Sequence, residues 1–195
     1  MTKEKIQVKD LITVGIFTAI MFVVCMCVAM LGYVPIFIPL LSVIVPIIGG
    51  IPYMLFLTKT KKFGMITIMG VLEGIIMGIM GMGIWAFLTG PLFGFIADLV
   101  VSAGKFKSVK HDILGYGIYS MWLIGNYLPI VLSREAYIEN LTSSGYGGEY
   151  TEALMRYIPD WSLIPLLIAC FVSGLIGGFV GRVILKKHFK RAGIA

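Results

Sequence analysis

Charge is what this sequence has least of. Only 13% of its 195 residues are Asp, Glu, Lys or Arg, while 58% are hydrophobic. An ordinary soluble domain carries about 25% charged residues. The apolar residues come in long runs, and the longest polar interval is about Ser133 to Asp160, which leaves no room for a water-soluble domain. Histidine is nearly missing. His111 and His188 both sit in basic clusters at the margins of apolar runs, and neither has a Ser or Cys partner inside a run. That argues against an intramembrane serine protease. Cysteine is sparse, odd in number and without a CxxC pair. Cys25, Cys27 and Cys170 lie inside apolar runs and read as small apolar side chains, not as disulfide or metal ligands. No HExxH motif is present. The nearest approach to a Walker A loop, Gly104-Lys105, lacks the upstream glycine spacing and the Ser or Thr that would meet magnesium. No enzymatic activity, cofactor or metal is therefore expected.

Cation exceeds anion, with a formal charge of +6. The excess does not point to nucleic acid, because the cations lie in short clusters between apolar runs, the pattern of membrane topology. Six runs are each about long enough to cross a bilayer: 10–32, 35–58, 64–82, 84–104, 112–133 and 161–186. The third and fourth are the least clearly separated, being interrupted by Gly78, Gly81 and Gly83. The first run is too long for the core of a cleaved signal and lacks an A-x-A-like site, so it reads as a retained span. Every Lys and Arg except Arg134 and Arg156 falls on one side if the six runs alternate. The expected fold class is thus an all-α integral membrane protein: a six-transmembrane-helix bundle in one domain, 1–195, with both termini cytoplasmic and an extracellular loop at 134–160.

The stretch from Trp85 to Ala103 organises the rest. Gly90, Gly94 and Asp98 are spaced by four and share one helical face, so the glycines let a neighbouring helix come close enough to enclose the acid. Glu73 is the other carboxylate within a run. Each is either a hydrogen-bonding group between helices or part of a proton or cation relay. Small residues recur at spacing four: Gly15 and Ala19; Gly70, Gly74 and Gly78; Gly174 and Gly178; Gly177 and Gly181. Most must serve internal packing, whereas Gly15 and Ala19 could also receive a partner helix. Pro39, Pro46 and Pro52 make the second run a bent packing helix or a gate. The 134–160 loop is either a lid or a disordered excursion, with a short interfacial helix over Glu149–Tyr157. Under this topology the outer halves of runs four to six hold Trp85, Thr89, Trp122, Asn126, Tyr127 and Trp161. These are the candidate substrate-binding residues, lining an outward pocket for a small, flat or amphipathic ligand. Interfacial anchoring is the competing explanation, strongest for Trp161.

The segments Gly90-Pro91-Leu92-Phe93-Gly94-Phe95-Ile96-Ala97-Asp98-Leu99, Gly115-Tyr116-Gly117 and Lys187-His188-Phe189-Lys190-Arg191-Ala192-Gly193-Ile194 carry a family resemblance. The chain resembles the substrate-binding S-components of energy-coupling factor (ECF) transporters, and most of all the Trep_Strep (MptD-like) group. The resemblance covers essentially the whole chain, and the final octapeptide is its most specific part. It implies a subunit that captures a vitamin or related small organic nutrient from outside. That subunit would dock on a membrane scaffold carrying two cytoplasmic ATPases, and topple so that its site opens inward. It also implies that Gly15 and Ala19 occupy the family's scaffold-contact positions, although the usual residue at both places is Ala. Two rivals remain at this level. One is a stand-alone secondary transporter or channel using Glu73 and Asp98 as an ion or proton relay; the other is a membrane scaffold without a ligand.

Overall fold

The computed structural model describes residues 5–82 and 84–189. Lys3, Gly83, Lys190, Arg191 and the Ala192-Gly193-Ile194 end of the octapeptide lie outside the described residues. Those described are helical throughout their ordered elements. The elements are α1 (Val8–Ala29), α2 (Phe37–Lys59), α3 (Met65–Met77), α4 (Ile84–Ala103), α5 (Val109–Ser120), α6 (Leu128–Leu132), α7 (Arg134–Ser143), α8 (Gly148–Tyr157) and α9 (Leu163–Ile184).

Four helical stretches are long and apolar enough to cross a membrane: Val8–Tyr33, Phe37–Lys59, Ile84–Ala103 and Asp160–Lys187. Their outward faces carry exposed Ile16, Phe87, Leu92, Ile168 and Phe179, a surface suited to lipid rather than water. The other two runs depart from the single rods their composition suggests. The third is a short helix, α3, followed by a wide turn at Gly78–Met82 in which Gly81 has φ 87°. The fifth changes from α5 to a 3-10 segment at Met121–Asn126 and then to α6. The reason is local. Pro129 has no N–H to give the Gly125 carbonyl, and a Cβ at Gly125 would lie 2.8 Å from the Ala86 Cα, so the backbone is held against α4 there.

Glycines set the helix crossings. Gly70 meets Gly90, and Gly74 meets the Ala86–Phe87 backbone, so α3 and α4 run antiparallel in close contact. Gly50 faces Gly177 and Gly181 faces Gly50, which places α2 and α9 parallel. Gly174 packs on Gly117 and Ser120, and Gly178 on Ile113 and Tyr116, making α5 and α9 antiparallel. Pro46 lies inside α2 without breaking it. The Ser42 carbonyl that Pro46 leaves without a helical donor lies 3.0 Å from the Ser173 hydroxyl, which also reaches the Ala169 and Cys170 carbonyls of its own helix, and the Pro46 carbonyl accepts the Tyr116 hydroxyl at 2.7 Å. A hydroxyl of α9 thus stands within reach of the acceptor the proline releases, and α2 is a packing helix at this point. Gly50→Ala would drive a methyl into the Gly177 backbone. A loss of about 1–3 kcal/mol is expected for such overpacking, measurable as a lower unfolding midpoint in detergent, with Gly15→Ala as a silent control because nothing lies within 4 Å of a Cβ there.

These crossings collect the cationic segments at one end. Lys62 bridges Asp10 at 2.7 Å and reaches the Lys5 carbonyl at 3.2 Å, joining the α2–α3 connection to the N-terminal segment. The Gly64 and Thr67 backbones meet Asp98, bringing the start of α3 to the last third of α4. Gly104 packs on His111 at the α4–α5 turn. The opposite end carries the α1–α2 and α3–α4 connections and the α7–α8 hairpin.

Candidate functional site

The two buried carboxyls behave differently. Asp98 is fully buried, and its Oδ2 accepts three hydrogen bonds from the start of α3: Gly64 N at 3.0 Å, Thr67 N at 2.8 Å and Thr67 Oγ1 at 2.7 Å. The first turn of any helix has N–H groups without intrahelical partners. Gly64, at φ 99°, and the rest of that turn offer no side-chain cap of their own. A carboxylate from α4 takes that place, and its charge suits the positive end of the α3 dipole. Gly90 and Gly94 bring α4 close enough for this. Glu73, 1% exposed, has no hydrogen-bond partner for either oxygen among the described residues.

At the end opposite the cationic clusters lies a recess with three adjoining lobes. The widest, about 490 Å³, lies between the end of α1, Tyr33, Met80 and the hairpin residues Asn140, Tyr146 and Tyr150. A second, about 180 Å³, lies between Asn126, Pro129 and the α7 residues Ser133, Ala136 and Tyr137. The third, about 120 Å³, reaches inward to Cys25, Val45, Met77 and Leu123. Tyr137 borders all three. Among the described residues, no Asp, Glu, Lys, Arg or His lines any lobe. Burial holds the Tyr137 hydroxyl above its usual range and pushes Tyr150 up to about 12, so both phenols stay uncharged.

The roof is the α7–α8 hairpin. The 134–160 segment is therefore folded, and its second helix covers the Glu149–Tyr157 stretch expected to be helical. Leu154 and Ile158 are fully buried against Ile124, Tyr127, Ile130 and Leu166. Arg134 donates to the Ile158 carbonyl at 2.8 Å and pairs with the exposed Asp160 at 2.8 Å, tying the ends of the hairpin together. Tyr150 donates to the Gly32 carbonyl at 2.6 Å, the contact that holds the hairpin to the α1–α2 connection. Tyr150→Phe removes one hydrogen bond of about 1 kcal/mol. The expected result is faster amide exchange over residues 134–158, read by hydrogen–deuterium exchange, with the global unfolding midpoint nearly unchanged.

The six candidate site residues do not share one pocket. Asn126 and Tyr127 line the inner lobe. The Tyr127 hydroxyl is tied to the Ile38 carbonyl at 2.9 Å. Trp122 is 2% exposed within the main core, and the Thr89 hydroxyl is spent on the Trp122 carbonyl at 2.8 Å. The 3-10 turn at 121–126 rotates Trp122 away from the face that an α-helical spacing would have shared with Asn126. Trp85 lines none of the three lobes, and Trp161 is 72% exposed, in the manner of an interfacial anchor. The recess therefore draws on the outer half of run five, through the 3-10 segment and α6, together with α1, α2, the end of α3 and the hairpin, and not on the outer halves of runs four and six. Met26, Tyr33, Tyr137 and Asn140 were not singled out by sequence. The cluster of Tyr137, Tyr146 and Tyr150 in an otherwise polar loop was the signal that could have found them.

Gly15 and Ala19 are exposed on the outer face of α1, with open space around Gly15. The glycine contacts at the α2–α9 and α3–α4 crossings are, in contrast, filled by a neighbouring backbone.

Residues 8–191 match the family model described as a hypothetical bacterial integral membrane protein (Trep_Strep). No curated protein and no solved structure matches the chain. With apolar helices of membrane length and a family match over nearly its whole extent, the chain is a multi-pass protein of the cell membrane and belongs to the Trep_Strep family of bacterial integral membrane proteins.

Proposed function

We propose that this protein is the substrate-capture S-component of an ECF-type importer, binding a small organic nutrient and handing it over without bond chemistry of its own. The observation that carries the proposal is the uncharged recess at the end remote from the cationic clusters, roofed by a folded hairpin. Pockets of this kind, mostly apolar with a few placed polar groups, are the usual form of small-molecule sites. By the positive-inside rule the cationic end is cytoplasmic, so the recess opens to the exterior. In this arrangement α3 with its wide turn, and α5 with the 3-10 segment and α6, complete six crossings, and both termini are cytoplasmic.

The exposed Gly15–Ala19 face supports the partner half of the proposal. Close helix contact in lipid needs small residues, and among the described residues nothing lies within 4 Å of a Cβ at Gly15 on this face. The partners are a membrane scaffold subunit and two cytoplasmic ATPases. A relay through Glu73 and Asp98 fits less well, because Asp98 is committed to the first turn of α3.

The test is purification from native membranes, followed by mass spectrometry of both co-purifying protein and small molecules. A scaffold, two ATPases and a bound organic compound are expected. Uptake of that compound by proteoliposomes containing this chain alone, driven by an ion gradient, would overturn the proposal.

A further inference from the structure

We propose that the recess selects an uncharged ring carrying a hydrogen-bond donor next to an acceptor, the edge of a lactam or other cyclic amide, and that Asn126 reads this edge. The inference rests on the capture role proposed above and narrows its ligand class.

Asn126 lies at the junction of two lobes, and its Oδ1 is buried without a hydrogen-bond partner among the described residues. A buried amide oxygen left unpaired costs free energy. Few such groups are tolerated without a reason, and a missing ligand is one. A carboxamide presents one acceptor and two donors side by side. Whichever way the group is turned, it complements a partner with a donor and an acceptor in adjacent positions.

The surroundings restrict what can carry that edge. The inner lobe, about 120 Å³, is walled by Cys25, Val45, Met77, Leu123 and Ile130. An apolar cavity of roughly 150 Å³ accommodates a benzene ring, so the lobe suits one small ring with modest adjustment of flexible Met77. The Tyr127 hydroxyl on this wall is already bonded to Ile38. That leaves the Asn126 amide and the rim residue Tyr137 as the strong polar groups facing a ring there. No charged side chain lines the lobe among the described residues, and an ion buried without a partner is strongly disfavoured. Any larger substituent would lie in the 490 Å³ lobe, beneath the tyrosines and Asn140 of the hairpin.

The experiment uses the purified full chain in nanodiscs with four small probes: 2-pyridone, benzoate, benzylammonium and toluene. Binding is read by saturation-transfer NMR. 2-Pyridone is expected to bind at least tenfold more tightly than the other three. Asn126→Leu should remove that advantage while leaving toluene binding within about twofold. Asn126→Ser, which keeps the site polar and smaller, should do the same if the leucine variant fails to fold. Equal or tighter binding of either charged probe overturns the proposed class, as does 2-pyridone binding that ignores both substitutions. Ala29→Trp, which fills the shared wall of the widest and the inner lobes, separates the two levels. If it blocks whichever probe binds, the recess remains the capture site and only the ligand class falls. If no probe binds, or none responds to Ala29→Trp, the capture role falls with it.

Discussion

On the proposed importer role, replacing Ala19 with tryptophan is expected to reduce nutrient uptake by cells to background while leaving ligand affinity of the isolated protein within about twofold. Ala19 and Gly15 lie on the outer face of α1, and among the described residues nothing lies within 4 Å of a Cβ at Gly15. A helix approaching this face can bring its backbone close because no side chain bulk intervenes. An indole there would hold a partner helix several ångströms away, and contacts made by close packing fall off over less than that. Nothing in the recess touches Ala19, so binding is not expected to change. Two measurements check the prediction together: radiolabelled uptake with the scaffold and ATPases co-expressed, and titration of the purified variant. Undiminished uptake would show that the partner docks elsewhere. Ala19→Gly, which keeps the face flat, should transport normally.

The second large effect is on stability. Asp98→Ala is expected to cost roughly 3 kcal/mol or more, since it strips the partner from two backbone N–H groups and one hydroxyl at the buried start of α3. Asp98 itself is fully buried, so water does not readily replace its carboxylate. Asp98→Asn keeps an acceptor oxygen but loses the charge, so an intermediate loss is expected. Equilibrium unfolding in mixed micelles gives the order directly. An alanine variant as stable as the parent would mean that α3 does not depend on α4 for its cap.

Much of this was legible in the sequence, for a simple reason. The bilayer imposes length and polarity on whatever crosses it, so the four long helices are plain in the hydropathy and fall within a few residues of the expected boundaries. The spacing of Gly90, Gly94 and Asp98 was equally direct, because one residue type every four positions means a face. The fifth run was less legible. Its composition is apolar enough for one rod, yet Gly125 and Pro129 break the helical period, and with it the assumption that Trp122 and Asn126 point the same way. The recess was harder still to foresee. Its walls come from the end of α1, the start of α2, the turn after α3 and a loop hairpin, elements distant in sequence that only tertiary packing brings together. The hairpin's polar composition concealed a folded element, because a helix lying over a protein surface needs only one narrow apolar stripe, here Leu154 with its neighbours.

The Ser173–Ser42 and Tyr116–Pro46 hydrogen bonds, together with the bare-backbone meeting of Gly50 and Gly177, leave no slack between α2, α5 and α9. These contacts make the α2–α5–α9 group the most tightly joined part of the bundle. The α1 flank of the recess is joined to the hairpin by the Tyr150–Gly32 hydrogen bond, whereas the other side of the hairpin is anchored by the buried Leu154 and Ile158.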